Sequence, residues 1–185
     1  MRVIAGSLKG RRLKAPAWDG LRPTSDKLRE TLFNILAPRI GGTRFLDGYA
    51  GTGAVGIEAI SRGAGAVTFV ESDRRAETLI AENLAHCGVE NGYAIIRATV
   101  ARAIDQLDAA AFGPYELFAI VWLDPPYDEQ PDAVIAAAGV LVAPGGLLVL
   151  EHARRRPAPE TAARLVRVRQ VTSGDSTLSF YELTH

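Results

Sequence analysis

Apolar residues recur in two different rhythms along this chain. Over residues 28–36, Leu28, Leu32, Phe33, Ile35 and Leu36 return at three- and four-residue spacing, the mark of a helix with one buried face. Thr24 or Ser25 in front supplies a capping hydroxyl, and Pro38 with Gly41-Gly42 behind ends the helix, which is expected to dock on a sheet. From residue 43 near-continuous apolar runs take over as RFLDGY, AVTFVES, YAIIRA, LFAIVWLD and GLLVLEH. Helical stretches lie near 54–62, 74–86, 99–110 and 131–142. Strands apolar on both faces and alternating with helices predict a mostly parallel sheet covered on both sides.

The two ends break this rhythm. The opening RVIAG, the turn-like SLKG and RRLKAP predict a basic hairpin outside the main body, with Pro16 to Pro23 irregular after it. The closing ARLVRVRQV, SGDS and TLSFYELT alternate, which predicts an antiparallel hairpin along one sheet edge. The organisation expected is residues 1–42 as a basic appendage of hairpin and docking helix, and residues 43–185 as the main α/β domain.

Composition narrows the classes of partner. With 185 residues and 48% apolar content, the chain fills one core. Its 21 bases balance 21 acids, so a polyanion must be held by a local patch. Residues 1–30 are such a patch, with Arg2, Lys9, Arg11, Arg12, Lys14, Arg22, Lys27 and Arg29 against Asp19, Asp26 and Glu30. The single cysteine, Cys87, excludes an internal disulfide, and His86, His152 and His185 have no metal-ligand spacing. No apolar stretch spans a bilayer and the polar start has no signal-peptide core, so a cytoplasmic protein is expected.

Two stretches carry chemistry. The first strand runs into D47-G-Y-A-G51-T-G53-A-V-G56, where glycines let backbone approach a ligand and the next helix presents free N–H groups. Residues 51–56 satisfy G-x-G-x-x-G, so a dinucleotide reading, an NAD-dependent oxidoreductase, stays open. Glu71, at the end of the second strand, is placed to accept hydrogen bonds from ribose hydroxyls. Asp47 at the first strand end repels a pyrophosphate and suits a cation. The second stretch is LDPPYD, residues 123–128, which ends the fourth strand at the same sheet edge. Two prolines delete donors and stiffen what precedes them, leaving the Asp124 carboxylate and Pro125 carbonyl as acceptors beside the Tyr127 ring. Such a notch takes the two N–H groups of an exocyclic amine, localises its lone pair and aims it at an electrophile. The electrophile that fits Asp47 and Glu71 is a sulfonium, the methyl donor S-adenosylmethionine.

The combination of D-x-x-x-G-x-G with DPPY resembles the amino-methyltransferases. The flanking R2-V-I-A-G6, G10-R-R-L, L21-R-P-T-S-D, E30-T-L-F-N-I-L and E58-A-I-S-R-G resemble the RsmD family over nearly the whole chain. The resemblance implies a Rossmann-like S-adenosylmethionine-dependent methyltransferase fold with a seven-stranded sheet, and methylation of guanine N2 in small-subunit ribosomal RNA. It also implies a monomer that acts on ribosomal RNA within an assembly particle, using no metal and no membrane. By the same resemblance Asp47, Tyr49, Gly51, Gly53, Glu71, Ser72 and Thr99 line the donor site, and Asp124, Pro125, Pro126 and Tyr127 the target-base site. The RNA would meet Arg2, Lys9, Arg11, Arg12, Arg22, Thr24, Lys27 and Arg154. Two positions depart from the family. Gly48 replaces a bulky residue after the first-strand acid, which is expected to loosen the strand end. Thr99 stands where an acid usually meets the adenine amine, and its hydroxyl or a backbone carbonyl is the expected substitute. The rival readings are methylation of a DNA adenine or cytosine amine, the NAD-dependent oxidoreductase, and a noncatalytic RNA-binding module.

Overall fold

The computed structural model describes residues 1–20, 24–107, 117–126 and 128–184. Arg22 and Tyr127 of the candidate site, and the expected end of the 99–110 helix, lie outside these residues. Ser25 caps the first helix, α1 (Asp26–Leu36), its hydroxyl accepting from Leu28 N. There follow β1 (Arg44–Gly48), α2 (Ala54–Ser61), β2 (Ala66–Glu71), α3 (Arg74–Cys87), β3 (Tyr93–Arg97), α4 (Val100–Gln106), β4 (Phe118–Leu123) and α5 (Pro131–Ala138). After a short 3₁₀ turn come β5 (Val142–Ala153), β6 (Thr161–Ala162), β7 (Leu165–Ser173) and β8 (Ser176–Leu183).

The strands form one sheet in the order β3-β2-β1-β4-β5-β8-β7-β6. The first five are parallel, and β8, β7 and β6 continue antiparallel. The resemblance implies seven strands, and among the described residues the sheet has eight. The extra one, β6, pairs only Thr161 and Ala162 with β7, too short a run to show any alternation. Strand order reverses between β1 and β4, so the crevice at their carboxyl ends is the switch point where α/β sheets bind ligands.

Each face of the sheet has its own core. On one side the hairpin residues Val3 and Leu13 join Leu32, Phe33 and Leu36 of α1, Ile57 of α2 and Ile80 and Leu84 of α3 over Phe45, Phe69 and Trp122. On the other, Val134, Ile135 and Ala138 of α5 and Val100 and Ala103 of α4 cover Leu46, Val121, Leu123 and Leu148. Fully burying such a side chain contributes about 1.5–3 kcal/mol, so both layers are held chiefly by apolar contact. Among the described residues no helix is long and apolar enough to cross a membrane.

The amino-terminal hairpin is fastened by more than its core residues. It keeps one antiparallel bridge, Arg2 with Arg12, instead of two full strands, because its outward donors are turned onto α2. Ile4 N and Ala5 N donate to the buried Glu58 carboxylate at 2.7 and 3.0 Å, Leu8 N to Ser61 Oγ at 2.9 Å, and Ser7 N to Ser61 O at 2.8 Å. Gly6 is required here, since a Cβ on it would lie 1.8 Å from the Ser61 carbonyl oxygen. The return arm is held to α3, where Lys14 N donates to Asn83 Oδ1 at 2.7 Å.

Candidate active site

Register places the chemistry-bearing residues along one edge. Glu71 pairs with Arg97, Gly48 with Val70 on one side and Leu123 on the other, and Leu123 with Leu150. Ala98, Ser72, Tyr49 and Asp124 therefore follow β3, β2, β1 and β4 along one edge, while Glu151 lies level with Asp124 inside β5, which runs on to Ala153. Adjacent strands are about 4.8 Å apart, so the glycine turn after β1 and the Asp124-Pro125-Pro126 segment after β4 are immediate neighbours.

The glycine turn is held by carboxylates. Asp47 is buried and its Oδ2 accepts from Gly56 N in the first turn of α2 at 2.7 Å. Glu71 Oε2 accepts from Gly51 N at 2.8 Å and Oε1 from Asp73 N at 2.8 Å, which couples the β1 turn to the start of α3. Gly51 and Gly53 have φ of +56° and +75°, the left-handed conformation that favours glycine. Two of the N–H groups that a pyrophosphate would seek are thus already given to acids, which argues against the dinucleotide reading despite the matching fingerprint. Gly56 serves packing, because a Cβ there would fall 2.2 Å from the Phe69 ring. Gly48 does not loosen the strand. It is buried, and a Cβ on it would meet Leu123 Cδ2 at 2.7 Å and Trp122 O at 3.2 Å, so the missing side chain lets β1 and β4 close up.

Burial holds the Asp47 carboxyl well above its ordinary 3.8; the Gly56 N–H opposes this and the nearby Glu71 charge adds to it. The folded chain then keeps a proton at Asp47 that the unfolded chain releases, so this group's contribution to stability falls as pH rises above about 4. Asp47→Asn removes that dependence. It is expected to melt above the wild type at neutral pH, with the advantage shrinking towards pH 4, and a melting series across pH checks this.

Beside Glu71 a shallow groove of about 330 Å³ is lined by Ser72, Arg97, Ala98, Thr99, Arg102 and Gln106. Ser72 and Thr99 meet there, but Thr99 also caps α4, its Oγ1 accepting from Arg102 N at 3.3 Å. Among the described residues the groove lining holds no carboxylate, and the Thr99 hydroxyl keeps its proton for an acceptor.

On the acceptor side Asp124 and Pro125 are half-buried and Pro126 is exposed, its carbonyl accepting from Glu129 N at 3.1 Å. Tyr49 spans the two sides. Its backbone is left-handed, with φ +63°, a conformation costing a side-chain-bearing residue about 1–2 kcal/mol. Its hydroxyl donates to Glu129 Oε2. Burial, then the bond to Glu129 and its charge, push the phenol well above its usual range, so it remains a donor. Within β5, level with Asp124, Glu151 Oε2 accepts from Thr24 Oγ1 at 3.3 Å, bringing the start of α1 to the notch.

The candidate RNA contacts divide into groups. Arg2, Lys9 and Lys27 share a groove of about 350 Å³ between the hairpin and α1, together with Asp26 and Glu30. Arg12 is exposed opposite Arg2, while Arg11 is exposed further along, where its charge reaches Cys87 at the end of α3. Arg154 is exposed past β5 in a turn fixed by His152, whose Nδ1–H donates to Arg156 O at 2.8 Å while Nε2 accepts from Ser179 Oγ at 2.9 Å. Trp18 covers the start of α3, with the Arg75 guanidinium 4.9 Å from its ring centroid. Glu58, Glu129 and Glu151 are given no site role by the sequence expectations. Glu58 opens the E58-A-I-S-R-G stretch of the resemblance, and Glu129 carries a local cue as an acid two residues beyond DPPY.

A family model described as Conserved hypothetical protein 95 matches residues 1–182. The chain belongs to that family, the RsmD family. Ribosomal RNA small subunit methyltransferase D of Haemophilus influenzae is 36% identical over 163 residues, covering 85% of this chain and 81% of that one. The Escherichia coli protein of the same name is 42% identical over 127 residues, covering 69% and 60%. Among solved structures, one from Escherichia coli superposes with a TM-score of 0.83 at 31% identity, over 99% of this chain and 97% of its own. RsmD membership fits the carboxylate-held glycine turn and displaces the oxidoreductase reading.

Proposed function

We propose that this chain transfers a methyl group from S-adenosylmethionine to the exocyclic N2 amine of an unpaired guanine in small-subunit ribosomal RNA. The observation that carries the reading is the pairing of Gly48 with Leu123, which sets the glycine turn and the Asp124-Pro125-Pro126 notch one strand apart. The RsmD relatives, named for ribosomal RNA, favour RNA over DNA. The donor, when bound, supplies a methyl on a positively charged sulfur; that S–C bond breaks with its electron pair going to sulfur, an N–C bond forms, and the nitrogen sheds a proton. The chain's own groups do the rest. Asp124 and the Pro125 carbonyl accept the amine hydrogens and aim the lone pair, and Asp124 hands the shed proton to water. Glu71 has lone pairs beyond those used by Gly51 and Asp73, enough for ribose hydroxyls. Asp47 lies under the turn, where a cation draws its carboxyl back towards the ionised form. A guanine inside a helix cannot reach this crevice, so the target is unpaired or extruded.

The test is incubation with labelled donor and ribosomal particles, or naked RNA, from a strain lacking the protein. Label is expected in N2-methylguanosine. Label in another nucleoside or in DNA, or none, overturns the reading. The groove between hairpin and α1 supplies a second expected result: the Lys9→Ala/Lys27→Ala double variant weakens RNA binding and reduces the slope of log affinity against log salt by about 0.7–0.9 per lost phosphate contact. Arg11→Ala, further from the notch, is expected to change the slope less. A salt titration of the three proteins checks both.

A further inference from the structure

The bond between Tyr49 and Glu129 joins the two halves of the crevice, and the transfer chemistry above does not use it. Tyr49 belongs to the turn that presents Gly51 and Gly53, and Glu129 to the loop that presents Asp124, Pro125 and Pro126. The partners are 80 residues apart in sequence, so no local preference brings them together. Tyr49 adopts a left-handed backbone, which persists in a residue with a side chain only where surrounding contacts enforce it. Its ring packs against the core beneath α4 and α5, so the hydroxyl is delivered from a fixed base. At the other end the Glu129 backbone is tied to Pro126 O, the last described residue of the acceptor notch before Asp128. Ring, phenol, carboxylate and turn make one continuous connection from donor turn to acceptor notch.

We propose that Glu129 is a positioning residue: by receiving the Tyr49 hydroxyl it sets the separation between the glycine turn and the Asp124 notch, and hence the path length of the methyl group. The inference rests on the methyl-transfer reading. Transfer is sensitive to such spacing, because a misplacement of about 1 Å can cost on the order of a hundredfold in rate. An acceptor at position 129 is what the connection needs, not a charge. Glu129→Gln keeps an oxygen that accepts from the phenol, Glu129→Ala does not, and Tyr49→Phe keeps the ring while removing only the hydroxyl.

Single-turnover methyl transfer, donor affinity by calorimetry and amide exchange together decide the matter. Glu129→Ala and Tyr49→Phe are each expected to slow transfer about 10- to 100-fold with donor affinity nearly unchanged. The double variant is expected to be no slower than either single one, and Glu129→Gln to be close to wild type. In Tyr49→Phe, without any substrate, the Glu129 amide is expected to exchange about tenfold faster. Wild-type rates in Glu129→Ala, a Gln variant as slow as the Ala variant, or unchanged exchange in Tyr49→Phe overturns the proposal. A wild-type protein that transfers no methyl overturns the methyl-transfer reading instead, and the exchange measurement still decides whether the bond fixes the loop.

Discussion

Asp124→Ala is expected to abolish methyl transfer while leaving donor binding within a few fold of wild type. Asp124 follows β4 at the switch point, half-buried between the β1 turn and β5, and it is the carboxylate of the Asp124-Pro125-Pro126 segment. Removing the carboxylate leaves the amine with one acceptor, the Pro125 carbonyl, and with its lone pair still delocalised into the ring. Loss of one preorganised electrostatic partner costs about 10²–10³ in rate, and here the same group also receives a proton, so a loss at or beyond the upper figure is expected. Asp124→Asn keeps one accepting oxygen but loses the charge that receives the shed proton, so it is expected to stay slow. Measured turnover and calorimetric donor affinity on both variants check this, and transfer by Asp124→Ala at the wild-type rate refutes the mechanism.

The second large effect is on stability. Glu58 is buried in α2 and its two oxygens receive Ile4 N, Ala5 N and Arg62 Nε, the last at 2.8 Å. Its charge also supports Arg29, a fully buried guanidinium that donates to Arg2 O at 2.7 Å and Asp26 Oδ1 at 2.9 Å. Burial pulls Arg29 below its ordinary range, while Asp26 and then Glu58 oppose that pull. Glu58→Ala therefore strips acceptors from two amides and leaves a buried cation with less compensation. Breaking a buried pair in this way costs about 3–5 kcal/mol, and the expected fall in melting temperature is roughly 10 °C. The hairpin should also come free, so limited trypsin is expected to cut after Lys9, Arg11, Arg12 or Lys14 before the sheet is touched. A variant that melts with wild type and resists trypsin in this arm contradicts the assignment.

Much of the fold is written in local pattern. Apolar runs place β1 to β5 within a few residues, and the spacing of Leu28, Leu32, Phe33 and Leu36 gives both α1 and its buried face. The donor turn and the notch are equally legible, because each concentrates unusual residue types in a few positions and parallel topology puts both at one edge. What escapes is whatever depends on a neighbour distant in sequence. Gly48 reads as a missing side chain until Leu123 and the Trp122 carbonyl are seen against it. Glu58 reads as an ordinary helical acid, and nothing near it announces that the amides of Ile4 and Ala5 will claim it. Glu129 and Tyr49 have the same character. Thr99, read in the sequence as a donor-site residue, lines the groove beside Glu71, and its work as the cap of α4 depends on where that helix begins.

The fastening of the basic arm to α2 and α3 has a consequence for synthesis. The arm leaves the ribosome before α2 and α3, and Glu58 and Asn83 lie 53 to 69 positions downstream of the amides they receive. Contacts this far apart carry a loop-closure cost and form late compared with helices. A nascent or truncated chain thus displays its cationic residues only on a floppy tether, and the ordered groove between the arm and α1 exists only after the third helix has been made.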